Sequence, residues 1–125
     1  MKFPLLALFI GLAGFIGSLS RWLLGRFVGQ INVHFPLSTL IINITGSCFL
    51  GWFYAHARKH HFSDATLAII GTGFVGAYTT FSTYMYESND LMRNGADIKA
   101  ALNLLGSIVL GLAGVRLGIW LAQYT

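Results

Sequence analysis

The sequence predicts an all-α integral membrane protein of four transmembrane helices. Three observations lead there: 55% of the 125 residues are hydrophobic, only 10% are charged, and glycine occurs 15 times. A soluble domain carries about 25% charged residues, so water is not the solvent this surface is built for. A bilayer core of roughly 30 Å needs about 20 apolar residues per helix. The chain therefore has room for about four crossings and no separate soluble domain.

The first apolar segment covers 3–28. It is longer than the roughly 7–15 residues of a signal-peptide core, contains Arg21, and no small-residue cleavage site precedes the next span. It is read as a retained helix. Gly11, Gly14 and Gly17 form a small-residue stripe on it, which predicts close packing against another helix. The second segment covers 36–57, with Pro36 suited to a first helical turn. The single cysteine, Cys48, lies inside it; an intrachain disulfide is excluded and a small buried filler is expected. The third segment covers 65–92 behind Asp64, and the fourth covers 98–124 behind Asp97, each aspartate being an expected N-cap. Asn94-Gly95 supplies the turn between them, and Gly114 with Gly118 adds a small-xxx-small pair to the last segment.

Four spans put both termini and the middle loop on one side of the membrane. Lys2, Arg58 and Lys59 flank that side, while Arg26, Arg93 and Lys99 flank the other and Arg21 and Arg116 lie within spans. Three positive residues against three leave the positive-inside rule without a preference. Copies inserted in both directions, pairing as an antiparallel dual-topology homodimer, are the expectation that follows. A fixed orientation set by weaker biases is the bland alternative.

The third segment differs in kind. Gly71, Gly73 and Gly76 precede Thr79-Thr80-Phe81-Ser82-Thr83-Tyr84 near mid-span. Glycines relax the backbone and adjacent β-branched threonines disfavour continuation, which predicts a broken third helix. Broken backbone at membrane depth must be shielded by protein or line an aqueous cavity, where half-helix ends attract ions. A kink stabilised by Ser and Thr hydroxyls is the purely structural reading.

Other chemistries find little support. His56, His60 and His61 cluster where the second span meets its loop, but no carboxylate or cysteine completes a closed metal site. No Walker A, HExxH or GxSxG pattern is present, so no enzyme is predicted. The net charge of +4 sits near membrane boundaries, which points to lipid headgroups and not to nucleic acid.

Three separated motifs carry a family resemblance. Gly76-Ala77-Tyr78-Thr79-Thr80-Phe81-Ser82-Thr83-Tyr84, followed by Glu87, resembles the signature of the Fluc/CrcB fluoride channels. Pro36-Leu37-Ser38-Thr39-Leu40-Ile41-Ile42-Asn43 with Gly46 resembles the second-helix motif of that family, and Gly17-Ser18-Leu19-Ser20-Arg21-Trp22 its first-helix arginine motif. Length, span number and charge balance match as well.

The resemblance implies a fluoride-selective channel of the bacterial cytoplasmic (inner) membrane, with two narrow pathways built by both subunits of a dual-topology homodimer. It places Phe81, Ser82, Thr83 and Tyr84 on the fluoride pathway, Phe81 and Tyr84 as an aromatic box. Aromatic ring edges carry partial positive charge, which stabilises a small anion without trapping it. Tyr84 departs from the commoner phenylalanine and adds a phenolic hydroxyl. An amide within a span needs a polar partner, and for Asn43 both a helix–helix hydrogen bond and an ion-path role satisfy that need; the resemblance implies the second. Asn103 and Ser107, four apart on the last segment, extend a polar track on one helical face, although some relatives have tyrosine where Asn103 stands. The backbone carbonyls of Gly76 and Thr79 from two subunits are implied to hold a structural sodium ion at the dimer centre, hard oxygens suiting that cation. Arg21 either attracts anions at a vestibule or caps and snorkels, and Glu87 is expected in a polar network.

Two other functions compete. A small dual-topology proton-coupled multidrug cation antiporter needs an intramembrane carboxylate, and Glu87 is the one acid placed to serve. A membrane scaffold without transport is the third reading.

Overall fold

Apolar segments can satisfy their backbones in lipid by coiling, and among the residues described here, 2–30 and 34–125, every regular element is helical. The structure is a computed structural model of the single chain. Helix α1 (Phe3–Gly29) is followed by α2 (Leu37–Lys59). The third span, Asp64–Arg93, consists of α3 (Asp64–Leu67), a π-helical stretch (Ala68–Val75), α4 (Gly76–Tyr78) and α5 (Phe81–Arg93). Helix α6 (Asp97–Leu121) closes the chain through a 3-10 turn, Ala122–Tyr124. All four spans are long and apolar enough to cross a membrane.

Three of the helix starts differ from expectation by one residue. Ser63, not Asp64, is the N-cap of α3, its hydroxyl accepting from Thr66 N at 3.2 Å. Asp64 becomes the first helical residue, where its charge still complements the helix dipole. Pro36 stands at the cap of α2 instead of within its first turn. Asp97 is likewise the first residue of α6, because the turn before it takes Ala96. Gly95 has φ +71°, its N–H reaches Met92 O at 3.0 Å and Ala96 N–H reaches Leu91 O at 2.9 Å. That double closure is a Schellman motif, and the left-handed residue at its corner favours glycine.

Missing side chains set the helix distances. A Cβ on Gly118 would fall onto the carbonyl oxygen of Cys48 and within 2.6 Å of Trp52 N, so α6 lies backbone to backbone on α2. A Cβ on Gly17 would strike Phe74 O and come within 3.1 Å of Tyr78 N, which seats α1 on the third span. The expected glycine stripe on α1 is shorter than its spacing suggested: Gly11 faces open space. Each step of three residues falls about 60° short of a full turn, so two steps carry Gly11 about 120° off the face that Gly17 occupies. Cys48 is only partly buried, and its carbonyl lies at the α2–α6 contact.

Most apolar surface stays uncovered. Within the apolar window of α1 only 6% of residues are buried by the chain itself, which leaves that helix facing lipid or another copy.

Candidate functional site

Two residues of the third span lie outside its helices. Thr79 (φ −82°, ψ 162°) and Thr80 (φ −149°, ψ 122°) are extended between α4 and α5. Thr79 N still donates to Val75 O at 3.0 Å, but the two carbonyls and the Thr80 N–H have left the helical pattern and must find other partners. Side chains of two other helices meet that need. Asn43 of α2 binds both polar groups of Thr80: its Nδ2 donates to Thr80 O at 3.0 Å, and Thr80 N donates to its Oδ1 at 2.8 Å. Arg21 of α1 donates from Nη1 to Thr79 O at 3.2 Å. The Thr80 hydroxyl accepts from Thr83 N at 3.2 Å, which caps α5.

Beside this junction lies a groove of about 330 Å³, open along one side. Asn43 and Ser47 of α2, Ser107 of α6, and Thr79, Thr80, Phe81 and Tyr84 of the third span line it together. The Phe81 and Tyr84 rings meet edge to face, their centroids 6.0 Å apart and their planes at 64°. Phe81 is 74% exposed in the single chain, whereas Tyr84 is 7% exposed. The Tyr84 hydroxyl donates to Leu104 O at 2.7 Å, so the phenol is tied to the backbone of α6. Ser107 Oγ is buried and has no hydrogen-bond partner among the described residues.

The remaining predicted residues fall outside the groove. Asn103 is 1% exposed and donates from Nδ2 to Ser88 Oγ at 2.9 Å, and Ser88 in turn donates to Tyr84 O at 2.8 Å. Asn103 therefore locks α6 to α5, while Ser107, one turn on, reaches the groove. Ser82 and Thr83 sit exposed on the first turn of α5, Thr83 Oγ1 accepting from Thr80 Oγ1 at 3.0 Å. Glu87 Oε1 accepts from Thr39 Oγ1 at 2.8 Å, and Oε2 is buried without a partner among the described residues. Ser47 and Thr39 were given no role by sequence, and Thr80 only a part in the expected break of the third helix. Ser47 carried a signal, since it stands four residues after Asn43 on the same helical face, as Ser107 stands four after Asn103.

In a continuous helix Thr80 N would bond Gly76 O, but Asn43 Oδ1 takes that donor, which frees the Gly76 carbonyl. Thr79 O keeps a second lone pair beside its bond from Arg21. Both are hard oxygens, the donor type a cation such as sodium takes, and one of them already accepts from the cationic Arg21. The histidine cluster is placed differently: His56 stacks on Trp52 and its Nδ1 lies 3.1 Å from Thr125 Oγ1. No group of three or more metal-ligating side chains occurs among the described residues.

One hydroxyl gives a local prediction. Tyr84→Phe keeps the ring edge and removes one hydrogen bond worth about 1 kcal/mol. For the ion path that the family resemblance implies, flux is expected to stay within about threefold of wild type, and a loss of tenfold or more would show that the phenol itself contacts the ion.

Residues 8–119 match the family described as "CrcB-like protein, Camphor Resistance (CrcB)". The chain belongs to the CrcB family. This CrcB-family chain is 46% identical over 120 residues to the "Fluoride-specific ion channel FluC 2" of Mycobacterium bovis, the match covering 94% of this chain and 92% of that protein. It is 38% identical over 118 residues to the "Fluoride-specific ion channel FluC" of Chlorobium chlorochromatii, with 94% and 92% covered. The "Fluoride-specific ion channel FluC 2" of Moorella thermoacetica is 43% identical over 116 residues, with 92% and 93% covered. The three motifs that suggested the family, one on each of α1, α2 and the third span, lie inside the matched stretch of this CrcB-family chain.

Proposed function

We propose that this protein is a fluoride-selective ion channel of the bacterial inner membrane, which lets fluoride leave the cell down its electrochemical gradient and so limits fluoride toxicity. The observation that carries the reading is the groove in which Phe81, Tyr84, Asn43 and Ser107 come together beside the extended Thr79-Thr80 backbone. Helix α5 begins there, so the partial positive end of its dipole faces the same space. A strongly hydrated anion needs substitutes for its water, and ring edges, a hydroxyl and an amide donor offer them without a fixed positive charge.

The groove is open on one side and leaves Phe81 exposed, whereas an ion path through lipid needs a second wall. A second copy in antiparallel orientation supplies one, and two-fold symmetry then makes two equivalent pathways. Balanced flanking charge supports insertion in both orientations. In that dimer the Gly76 and Thr79 carbonyls of both chains would hold a structural sodium ion, and Arg21 orients the Thr79 carbonyl. A bound cation supplies positive potential near both grooves. The extended junction works here as a protected opening in the third span, both carbonyls and the Thr80 amide held by Asn43 and Arg21 and the Thr79 amide by Val75 O.

The test is fluoride efflux from liposomes holding the purified protein, with a potassium ionophore to relieve charge and a parallel chloride assay. Fluoride release without chloride release is expected. Cation-coupled proton movement in place of fluoride release would turn the reading toward an antiporter working through Glu87. Folded protein that moves neither ion would leave a scaffold.

A further inference from the structure

Two histidines stand together where α2 ends, on the face of that helix turned away from the groove. His56 and His60 are four residues apart, and the His60 N–H closes the last turn onto His56 O at 3.0 Å, so helical spacing holds across the pair. Their ring centroids are 4.3 Å apart. At about 100° per residue, His56 points about 180° around α2 from Ser47, which lines the groove. A second copy laid over the groove thus meets the opposite side of the helix.

The surroundings fix the His56 ring and its tautomer. The ring stacks on Trp52 with centroids 5.2 Å apart and meets Phe62 edge to face at 5.7 Å. Thr125 Oγ1 lies 3.1 Å from His56 Nδ1, accepts from Trp52 Nε1 at 3.2 Å and is 3.5 Å from Ala122 O. A hydroxyl has one proton and two lone pairs. The arrangement that serves all three contacts gives that proton to Ala122 O and makes His56 Nδ1 a donor, which leaves the Nε2 lone pair open. A metal-ligating histidine has the same pattern, one ring nitrogen donating to an orienting oxygen and the other facing the ion. His60 is exposed, and its ring makes no hydrogen bond with any described residue. The adjacent cations are held or turned away: Lys59 Nζ donates to Thr125 O at 2.7 Å, and Arg58 points about 160° around the helix from His56.

Histidines four apart on one helical face are a way for a helix to offer two ligands to one metal ion. A metal bonded to one nitrogen of each ring at about 2.1 Å, in cis positions, holds the ring centroids about 4.5 Å apart, close to the separation found here. We infer that His56 Nε2 and a ring nitrogen of His60 form an open site for a divalent transition-metal ion of the zinc and copper class, with water completing the coordination. Imidazole suits these ions better than it suits magnesium or calcium. The stretch His56-Ala57-Arg58-Lys59-His60 has the spacing without a glutamate beside the first histidine, so the site binds and has no general base. His61 stays out of it: at φ +54° the chain turns away from α2, and the ring lines a cavity with Tyr54 and Arg58. Neither histidine lines the groove, so the site stands whether or not the groove conducts fluoride.

Titration of the tag-free full chain with Cu²⁺ in a nonionic detergent, read by electron paramagnetic resonance, tests this, because copper heads the affinity order for such ligands. One Cu²⁺ per chain is expected, with hyperfine structure from two imidazole nitrogens. His60→Ala should lower the affinity by at least about tenfold, since loss of even an orienting partner costs that much, and should leave one imidazole nitrogen on any copper that remains. His60 is exposed, so the variant folds as wild type does, and its fluoride efflux is expected to be unchanged. His61→Ala and His34→Ala should bind copper as wild type does. Absence of saturable binding, or His60→Ala matching wild type, overturns the inference and leaves the pair as aromatic packing against Trp52. An equal loss in His61→Ala overturns the ligand assignment. One Cu²⁺ per two chains with four imidazole nitrogens would place the metal between copies and overturn the site within one chain.

Discussion

Asn43→Ala is expected to lower fluoride efflux per folded protein by at least about tenfold, which corresponds to about 1.4 kcal/mol in the barrier. The reason lies in backbone accounting. Asn43 answers both polar groups of Thr80, at 3.0 Å and 2.8 Å. Alanine leaves an N–H and a C=O without partners, each costing about 1–3 kcal/mol where water is excluded. The chain can escape that cost by letting Thr80 N return to Gly76 O, which winds Thr79 and Thr80 into helix. Two added residues rotate everything beyond them by about 200° relative to α4. Phe81 and Tyr84 would then leave the groove, or α5 would have to break its bonds to α6 through Tyr84 and Asn103. Either outcome removes the aromatic edges from the ion path. Asn43→Asp separates two contributions: it retains the acceptor for Thr80 N, loses the donor to Thr80 O and adds a negative charge that repels an anion. Its flux should be no higher than that of the alanine variant. Wild-type efflux from both proteins would remove Asn43 from the mechanism.

Much of this architecture is legible in the sequence because lipid leaves few choices. Runs such as Leu5 to Leu12 have no soluble use at this density, and helices follow once the solvent is named. Glycines followed by adjacent threonines raised the expectation of an interruption somewhere in Thr79 to Tyr84, without saying which residues leave the helix; Thr79 and Thr80 have extended backbone. What could not be read was the identity of partners across helices. Nothing local says that Asn43 turns to Thr80 backbone, 37 positions away, or that Arg21 reaches Thr79 O. The same limit separates Asn103 from Ser107: spacing puts them on one face, but only the approach of α5 decides that Ser88 takes the first. Tyr84 is a further case. Its hydroxyl stands out in the sequence as an added polar group, but nothing local shows that it donates to Leu104 O. The cap of α3 slipped by one residue because Ser63 precedes Asp64 and both are good caps, so local chemistry alone does not choose between them.

The second large effect is on assembly of the bundle. Gly118→Ala is expected to destabilise the folded chain by roughly 1–3 kcal/mol or more, the usual penalty for forcing extra volume into a packed contact. The new Cβ would meet Cys48 O and Trp52 N, which are backbone atoms of α2 and cannot rotate aside as a side chain would. Relief requires α2 and α6 to move apart, and that movement also opens the neighbouring approaches of Gly114 to Ile44 O and of Gly51 to Val115 O. Because hydrocarbon offers little hydrophobic drive to push helices back together, lost van der Waals contact is not recovered elsewhere. Ser107 rides on α6 and Asn43 on α2, so the separation also widens the groove between them. Gly11→Ala is the matched control: the same atom is added at a position with open space around it, and alanine's better helix propensity predicts no loss. Thermal unfolding followed by size-exclusion chromatography in one detergent reads both variants. A large drop for Gly118→Ala beside an unchanged Gly11→Ala supports backbone contact as the source of stability. Equal behaviour of the two would mean that α2 and α6 are not held at the distance this structure gives them.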